Sequence, residues 1–219
     1  MQEYVTQPRT GIAKLSDSIS LEEGATLPDN FVTAYYTVFS QLGLPAPSSF
    51  PVTTSPPLAD TPILVYGGGS TAGIYIIQLL ALAGYKHIVT TASKRNHEYL
   101  RSLGASHTVD YNNPSLVQEV TSSVGGDGKV LYAIDCIAAE STLEIVGKVV
   151  SPQGKVAILL PIKEGTTVTG SLDQNMYTEI RQDKTPFPQT TKIIPISTFK
   201  YHEVRITSFH QWKNADFGG

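Results

Sequence analysis

The sequence has almost no cysteine. A single one in 219 residues excludes a disulfide framework and the clustered thiolates of a cysteine-rich zinc site. Positive charge is not in excess either. Lys and Arg number 16 against 19 Asp and Glu, for a net charge of -3, and the basic residues are dispersed, so no nucleic-acid partner is expected. No apolar run is long enough to span a bilayer. The opening Met1-Gln2-Glu3-Tyr4 also lacks the basic-then-apolar layout of a secretory leader. The expectation is a cytoplasmic protein with no membrane partner.

Several catalytic patterns are missing as well. None of the tyrosines has a lysine four residues on, which argues against a short-chain dehydrogenase, whose lysine lowers the phenol pKa for proton transfer. The histidines (His87, His97, His107, His202 and His210) show no His-x-x-x-His spacing, so no metal site is expected. No catalytic residue can be named.

What is present centres on Ile63-Leu64-Val65-Tyr66-Gly67-Gly68-Gly69-Ser70-Thr71-Ala72-Gly73-Ile74. An apolar strand runs into a glycine cluster, and a helical pattern follows at once. A dinucleotide pyrophosphate needs that order: a tight turn, a bare backbone, and a helix whose free N–H groups face the anion. Two registers fit. Gly67-x-Gly69-x-x-Ala72 is the Ala-ending dinucleotide fingerprint, and Gly67-x-x-Ser70-x-x-Gly73 is a looser variant. No Gly-Lys-Ser or Gly-Lys-Thr follows, which excludes a Walker-type phosphate loop.

Around this motif the chain alternates strand and helix. Ser20 and Glu23 have capping-box spacing, which predicts a short helix ended by Pro28. A second helix is expected over Phe31 to Leu42, with Phe31, Tyr35, Val38 and Leu42 on one face, then a Pro- and Ser-rich loop. After the glycines, Ile74, Ile77, Ala81 and Gly84 mark the sheet-facing side of a helix. Strands are expected at His87 to Thr91, Thr108 to Tyr111, Val130 to Cys136 and Lys155 to Leu160. Helices are expected at Asn96 to Leu103, from Pro114 to Val124, and at Thr142 to Val150. Beyond Lys163 the signal fades around Met176 to Arg181, with closing strands at Ile193-Ile194 and Val204 to Phe209. The alternation predicts an α/β fold with a doubly wound parallel sheet of the Rossmann type.

The cofactor can be read from the end of the second strand. An Asp or Glu there, about 20 residues after the glycines, binds the ribose 2′-hydroxyl of NAD. Here the stretch is Thr90-Thr91-Ala92-Ser93-Lys94-Arg95-Asn96: no acid, two cations, and hydroxyl and amide donors. It suits a 2′-phosphate, so NADP(H) is the expected cofactor. The missing acid also argues against a methyltransferase. Cys136 ends an apolar run and reads as a buried thiol, and Asp135, at a strand end, is expected to bond neighbouring backbone N–H groups.

With these residues assembled, the chain resembles the medium-chain dehydrogenase/reductase superfamily, in the zinc-independent branch of quinone-oxidoreductase-like and trans-enoyl-reductase-like proteins. The resemblance runs from Gln2 to about Leu160. It rests on Glu22-Glu23-Gly24-Ala25-Thr26-Leu27-Pro28, Thr33-Ala34-Tyr35, Tyr66 to Gly73, Ser93-x-x-Asn96, Leu103-Gly104-Ala105, Asp110-Tyr111 and Asp135-Cys136-Ile137. It implies that Ser70, Thr71, Ala72 and Gly73 hold the pyrophosphate, that Ser93, Lys94 and Asn96 hold the 2′-phosphate, and that Tyr111 packs on the adenosine side. Thr33, Ile137, Leu159 and Leu160 would approach the nicotinamide end.

Members of that family begin with a GroES-like catalytic domain. The resemblance therefore implies that residues 1–30 are the tail of such a domain, 31–212 the NADP-binding domain and 213–219 a C-terminal stub. Two functions are carried forward. One is an NADP(H)-dependent oxidoreductase of the medium-chain type, present mainly as its cofactor domain and acting on a small molecule with an activated C=C or C=O. The other is a non-catalytic NADP(H)-binding or dimerisation module, with a homodimer formed through the sheet edge near Val204 to Phe209.

Overall fold

The computed structural model describes residues 14–159 and 185–196. Six strands form one sheet in the order β3-β2-β1-β4-β5-β6, and every neighbouring pair is parallel. They are β1 (Ile63–Tyr66), β2 (Ile88–Ala92), β3 (His107–Asp110), β4 (Val130–Asp135), β5 (Val150–Ile158) and β6 (Lys192–Pro195). The helices are α1 (Leu21–Tyr35), α2 (Thr71–Leu82), α3 (His97–Ser102), α4 (Leu116–Val124) and α5 (Glu140–Val149). This is the doubly wound α/β fold expected from the alternation. The strand order reverses between β1 and β4, which opens a crevice at their C-terminal ends.

The pleat of β1 divides the core. Ile63 and Val65 point to the side covered by α1, α2 and α3, while Leu64 and Tyr66 point to the side covered by α4 and α5. All four β1 residues are buried, as a strand covered on both faces must be.

Helix α2 is more enclosed than an amphipathic reading allows. Its buried residues are Gly73, Ile76, Ile77, Leu79 and Leu80, while Ile74 and Ala81 are half-buried. The sheet covers one side, and α1 covers another, with Phe31 edge-on to Tyr75 at 6.0 Å.

The largest departure is at Pro28. The capping box forms as expected, with Glu23 N–H donating to Ser20 Oγ and Ser20 N–H to Glu23 Oε2. The helix does not stop at Pro28, however, but continues to Tyr35. A proline here forfeits the bond to the Gly24 carbonyl. The apolar residues that follow dock on α2, and this packing holds the helix through the defect. The expected division after residue 30 thus falls within α1. The chain then widens into one π-helical turn, Tyr36–Gln41, closed by Leu42 N–H on Thr37 O at 2.9 Å. The Lys155 ammonium secures this end by donating to Leu42 O at 2.8 Å.

Smaller shifts have local causes. Helix α4 begins two residues past Pro114, after Ser115 N–H bonds Asn113 Oδ1 at 2.8 Å. Strand β5 starts at Val150 rather than Lys155, with a register shift against β4 between Val130 and Tyr132. Helix α5 starts at Glu140 rather than Thr142, because Thr142 serves the turn before it. The expected excursion around Met176 to Arg181, the strand at Val204 to Phe209 with its sheet-edge dimer, and the C-terminal stub lie outside the described residues. Among the described residues no helix is long and apolar enough to cross a membrane.

Candidate dinucleotide cleft

The C-terminal ends of β1, β2, β3 and β4 bound a cleft of roughly 340 Å³, within the range of small-molecule sites. Tyr66, Gly67, Gly69 and Ser70 enter it from the β1–α2 turn, and Thr91, Ala92, Ser93 and Asn96 from β2 and the turn after it. Tyr111 follows β3, Ile137 follows β4, and Thr142 lies on α5. A doubly wound sheet places its ligand at this switch point.

The glycine turn is held from both sides. Gly67 has φ +81, a left-handed conformation that a Cβ disfavours. A Cβ there would also lie 2.7 Å from Ile137 Cγ1. Its N–H donates to Thr91 Oγ1 at 3.0 Å, and the Thr90 hydroxyl donates to Val65 O at 2.7 Å. Two threonines of β2 therefore pin the turn to the sheet, a role that strand periodicity alone did not single out. Gly69 leans on the β2 turn, where an added Cβ would lie 2.7 Å from Asn96 Nδ2.

Of the two fingerprint registers, the structure gives the helix-packing role to the one ending at Gly73. A Cβ on Gly73 would lie 2.6 Å from Gly67 O and 2.7 Å from Gly68 Cα. Only a bare residue lets α2 approach the turn so closely. Ser70 caps α2 by accepting from Gly73 N–H at 3.1 Å. The amides of Thr71 and Ala72 head the helix with no acceptor four residues back, leaving an anion-binding end. Thr71 is exposed, Ala72 half-buried and Gly73 buried, and none of the three residues lines the cleft.

At the β2 end, Ser93 and Asn96 line the cleft, and Lys94 stands exposed in the 3₁₀ turn Lys94–Asn96. The strand's last residue is Ala92, and no carboxylate lines the cleft here. Tyr111, half exposed, closes this side. Ile137 sits in the same cleft as Ser93 and Tyr111, whereas Thr33 on α1 and the buried Leu159 do not line it. Leu160 lies outside the described residues.

The β4 end is built on Asp135, which is fully buried. Its Oδ1 accepts from Ile137 N–H at 2.8 Å and Ala138 N–H at 3.0 Å, and its Oδ2 accepts from the Thr142 hydroxyl at 2.6 Å. The carboxylate thereby holds Ala138 at φ 58, an unfavourable angle for a residue with a Cβ, and turns Ile137 towards Gly67. As expected for a strand-end acid, it serves the backbone. Burial pushes its carboxyl above the usual carboxylate range, against the hydrogen bonds that hold it down.

The folded protein therefore binds more protons than the unfolded chain between the ordinary value of 3.8 and the raised one. Asp135 should make stability fall as pH rises through that window, and Asp135→Asn should remove this component of the slope. Urea melts of both proteins across a pH series check it.

Cys136, adjacent, is buried, and burial together with the Asp135 charge pushes its thiol up. It stays protonated and unreactive near neutral pH. The described histidines, His87, His97 and His107, do not converge on a metal set. His87 and His107 meet with tilted rings, centroids 5.4 Å apart, at the opposite end of the sheet, and among the described residues no group of three or more potential ligands forms.

The cleft fits a dinucleotide on its own geometry: a bare turn, a capped helix end facing it, and donors without a carboxylate at the second strand. The family model of zinc-binding dehydrogenases matches residues 72–180. A trans-enoyl reductase of Fusarium sp. (strain FN080326) is 34% identical over 168 residues, which cover 76% of this chain and 45% of that protein. One from Aspergillus japonicus is 36% identical over 153 residues, covering 68% and 42%. The chain thus spans less than half the length of these curated relatives. Among solved structures, the CurK enoyl reductase superimposes with a TM-score of 0.64 at 20% identity, covering 92% of this chain and 52% of that one. An NAD-dependent alcohol dehydrogenase gives 0.65 at 24%, covering 96% and 54%. These last two share the fold. On sequence and fold together, the chain is similar to part of the medium-chain dehydrogenase/reductase proteins, in their enoyl-reductase-like branch.

Proposed function

We propose that this chain is the cofactor-holding part of an NADP(H)-dependent oxidoreductase that reduces an activated C=C or C=O. The observation that carries the reading is the joining, in one cleft, of the Gly67–Ser70 turn with an acid-free β2 end bearing Ser93 and Asn96. The relatives' name, trans-enoyl reductase, makes a conjugated enoyl group the leading acceptor.

When bound, the nicotinamide supplies a hydride equivalent. The chain's own residues bind and orient. The α2 end, with the Thr71 and Ala72 amides, holds the pyrophosphate, and its dipole favours the negative charge. Ser93, Lys94 and Asn96 hold the 2′-phosphate by charge-assisted hydrogen bonds. Tyr111 packs on the adenosine. Ile137, fixed by Asp135, covers the Gly67 turn and limits water access. Holding the dinucleotide in one orientation is the protein's share of the chemistry.

A second reading is a non-catalytic NADP(H)-binding or dimerisation module. Incubating the chain with NADPH and an α,β-unsaturated thioester, or a quinone, and following loss of NADPH absorbance separates the two. Turnover supports the oxidoreductase; tight binding without turnover supports the module.

A further inference from the structure

Tyr66 ends β1 immediately before the glycine turn, and no sequence pattern marks it as a ligand. It lines the cleft yet is only 5% exposed. Neighbouring strand ends fix its place: in register it faces Thr91 on β2 and Asp135 on β4. Its hydroxyl makes no hydrogen bond to the described protein; only burial and the nearby Asp135 charge act on it. The sealed side-chain oxygens without partners are Thr37 Oγ1 and Glu140 Oε1. The Tyr66 hydroxyl is not one of them and keeps its access to the cleft.

We propose that the Tyr66 hydroxyl donates a hydrogen bond to the adenosine-bisphosphate half of the bound dinucleotide. The assignment rests on the NADP(H) reading above.

Three observations support it. A ligand that fills the cleft strips water from this hydroxyl, and no protein acceptor is at hand. The ligand must supply one or leave a buried donor unpaired. The phenol is available as a donor at neutral pH, since burial and the Asp135 charge push it up to about 12. The residues sharing the cleft with it, Ser93, Asn96 and Tyr111, belong to the adenosine side. Of the residues expected at the nicotinamide end, Ile137 lines it at the Gly67 side, while Thr33 and Leu159 do not. The adenosine half offers acceptors in its base nitrogens, ribose oxygens and phosphates. Asp135 makes no hydrogen bond with the phenol; its bonds are those from Ile137, Ala138 and Thr142.

The test is Tyr66→Phe, which removes one oxygen and keeps the ring. Binding of NADPH and of adenosine 2′,5′-bisphosphate is measured by calorimetry, with a thermal melt of each free protein. The expected result is that both ligands weaken by the same factor, about five- to tenfold, while Tm is unchanged or raised. Unchanged affinities overturn the assignment, and so does weakening of NADPH alone, which would move the contact to the nicotinamide half. Weakening with a lowered Tm overturns it too, because that marks a packing role. Failure of the wild-type chain to bind either probe would remove the NADP(H) reading as well. Equal binding by both proteins removes only the Tyr66 assignment.

Discussion

Gly73→Ala is expected to destabilise the fold by about 2–3 kcal/mol and to weaken NADPH binding by at least tenfold. The added methyl has nowhere to go. Its nearest neighbours would be Gly67 O at 2.6 Å and Gly68 Cα at 2.7 Å, both backbone atoms, so no side chain can rotate aside. Relief requires α2 to move off the turn, which also moves the Thr71 and Ala72 amides away from the pyrophosphate position. Stability and binding should therefore fall together. Thr71→Ala, two residues earlier at an exposed position, leaves stability nearly unchanged and is the control. Urea unfolding and an NADPH titration of both variants measure the contrast. A Gly73→Ala protein as stable as wild type would mean that helix and turn are not in the contact described.

The second large effect concerns cofactor choice. Removing Ser93 and Lys94 together, as Ser93→Ala with Lys94→Ala, should weaken NADPH binding by about 10- to 100-fold. NADH binding should change by less than about twofold, because it lacks the 2′-phosphate that these groups are placed to hold. Lys94 is exposed, so its share should shrink as salt is added, whereas the share of half-buried Ser93 should persist. Equal losses for both cofactors would assign the pair to general packing of the β2 end.

The fold was legible wherever one local rule decided it. Apolar strands of four to six residues between turn signals gave β1 to β4 nearly to the residue, and the Ser20–Glu23 box gave the start of α1. Local rules failed where tertiary packing overrode them. Proline is a strong stop signal, yet Pro28 lies inside α1 because α2 holds the chain on both sides of it. Ile74 and Ala81 looked like the sheet-facing stripe of α2, but the helix has two covered sides, and α1 supplies the second.

The site divides in the same way. Gly67, Gly69, Ser70, Ser93, Asn96, Tyr111 and Ile137 line one cleft because each lies in the turn that follows a strand, a position that can be read from the order of elements. Thr90, Thr91 and Thr142 were not legible. Their roles are cross-strand or helix-to-loop hydrogen bonds, to Val65, Gly67 and Asp135, whose partners lie far away in sequence or across a turn. Tyr66 was hidden for another reason: an aromatic at the end of a buried strand reads as core, and only the missing partner of its hydroxyl distinguishes it.

The measurement that bears most directly on the central claim is a titration of the chain with NADPH and with NADH, read by calorimetry or nicotinamide fluorescence. NADPH is expected to bind saturably and at least tenfold tighter than NADH. Binding of neither, or a preference for NADH, would contradict the claim.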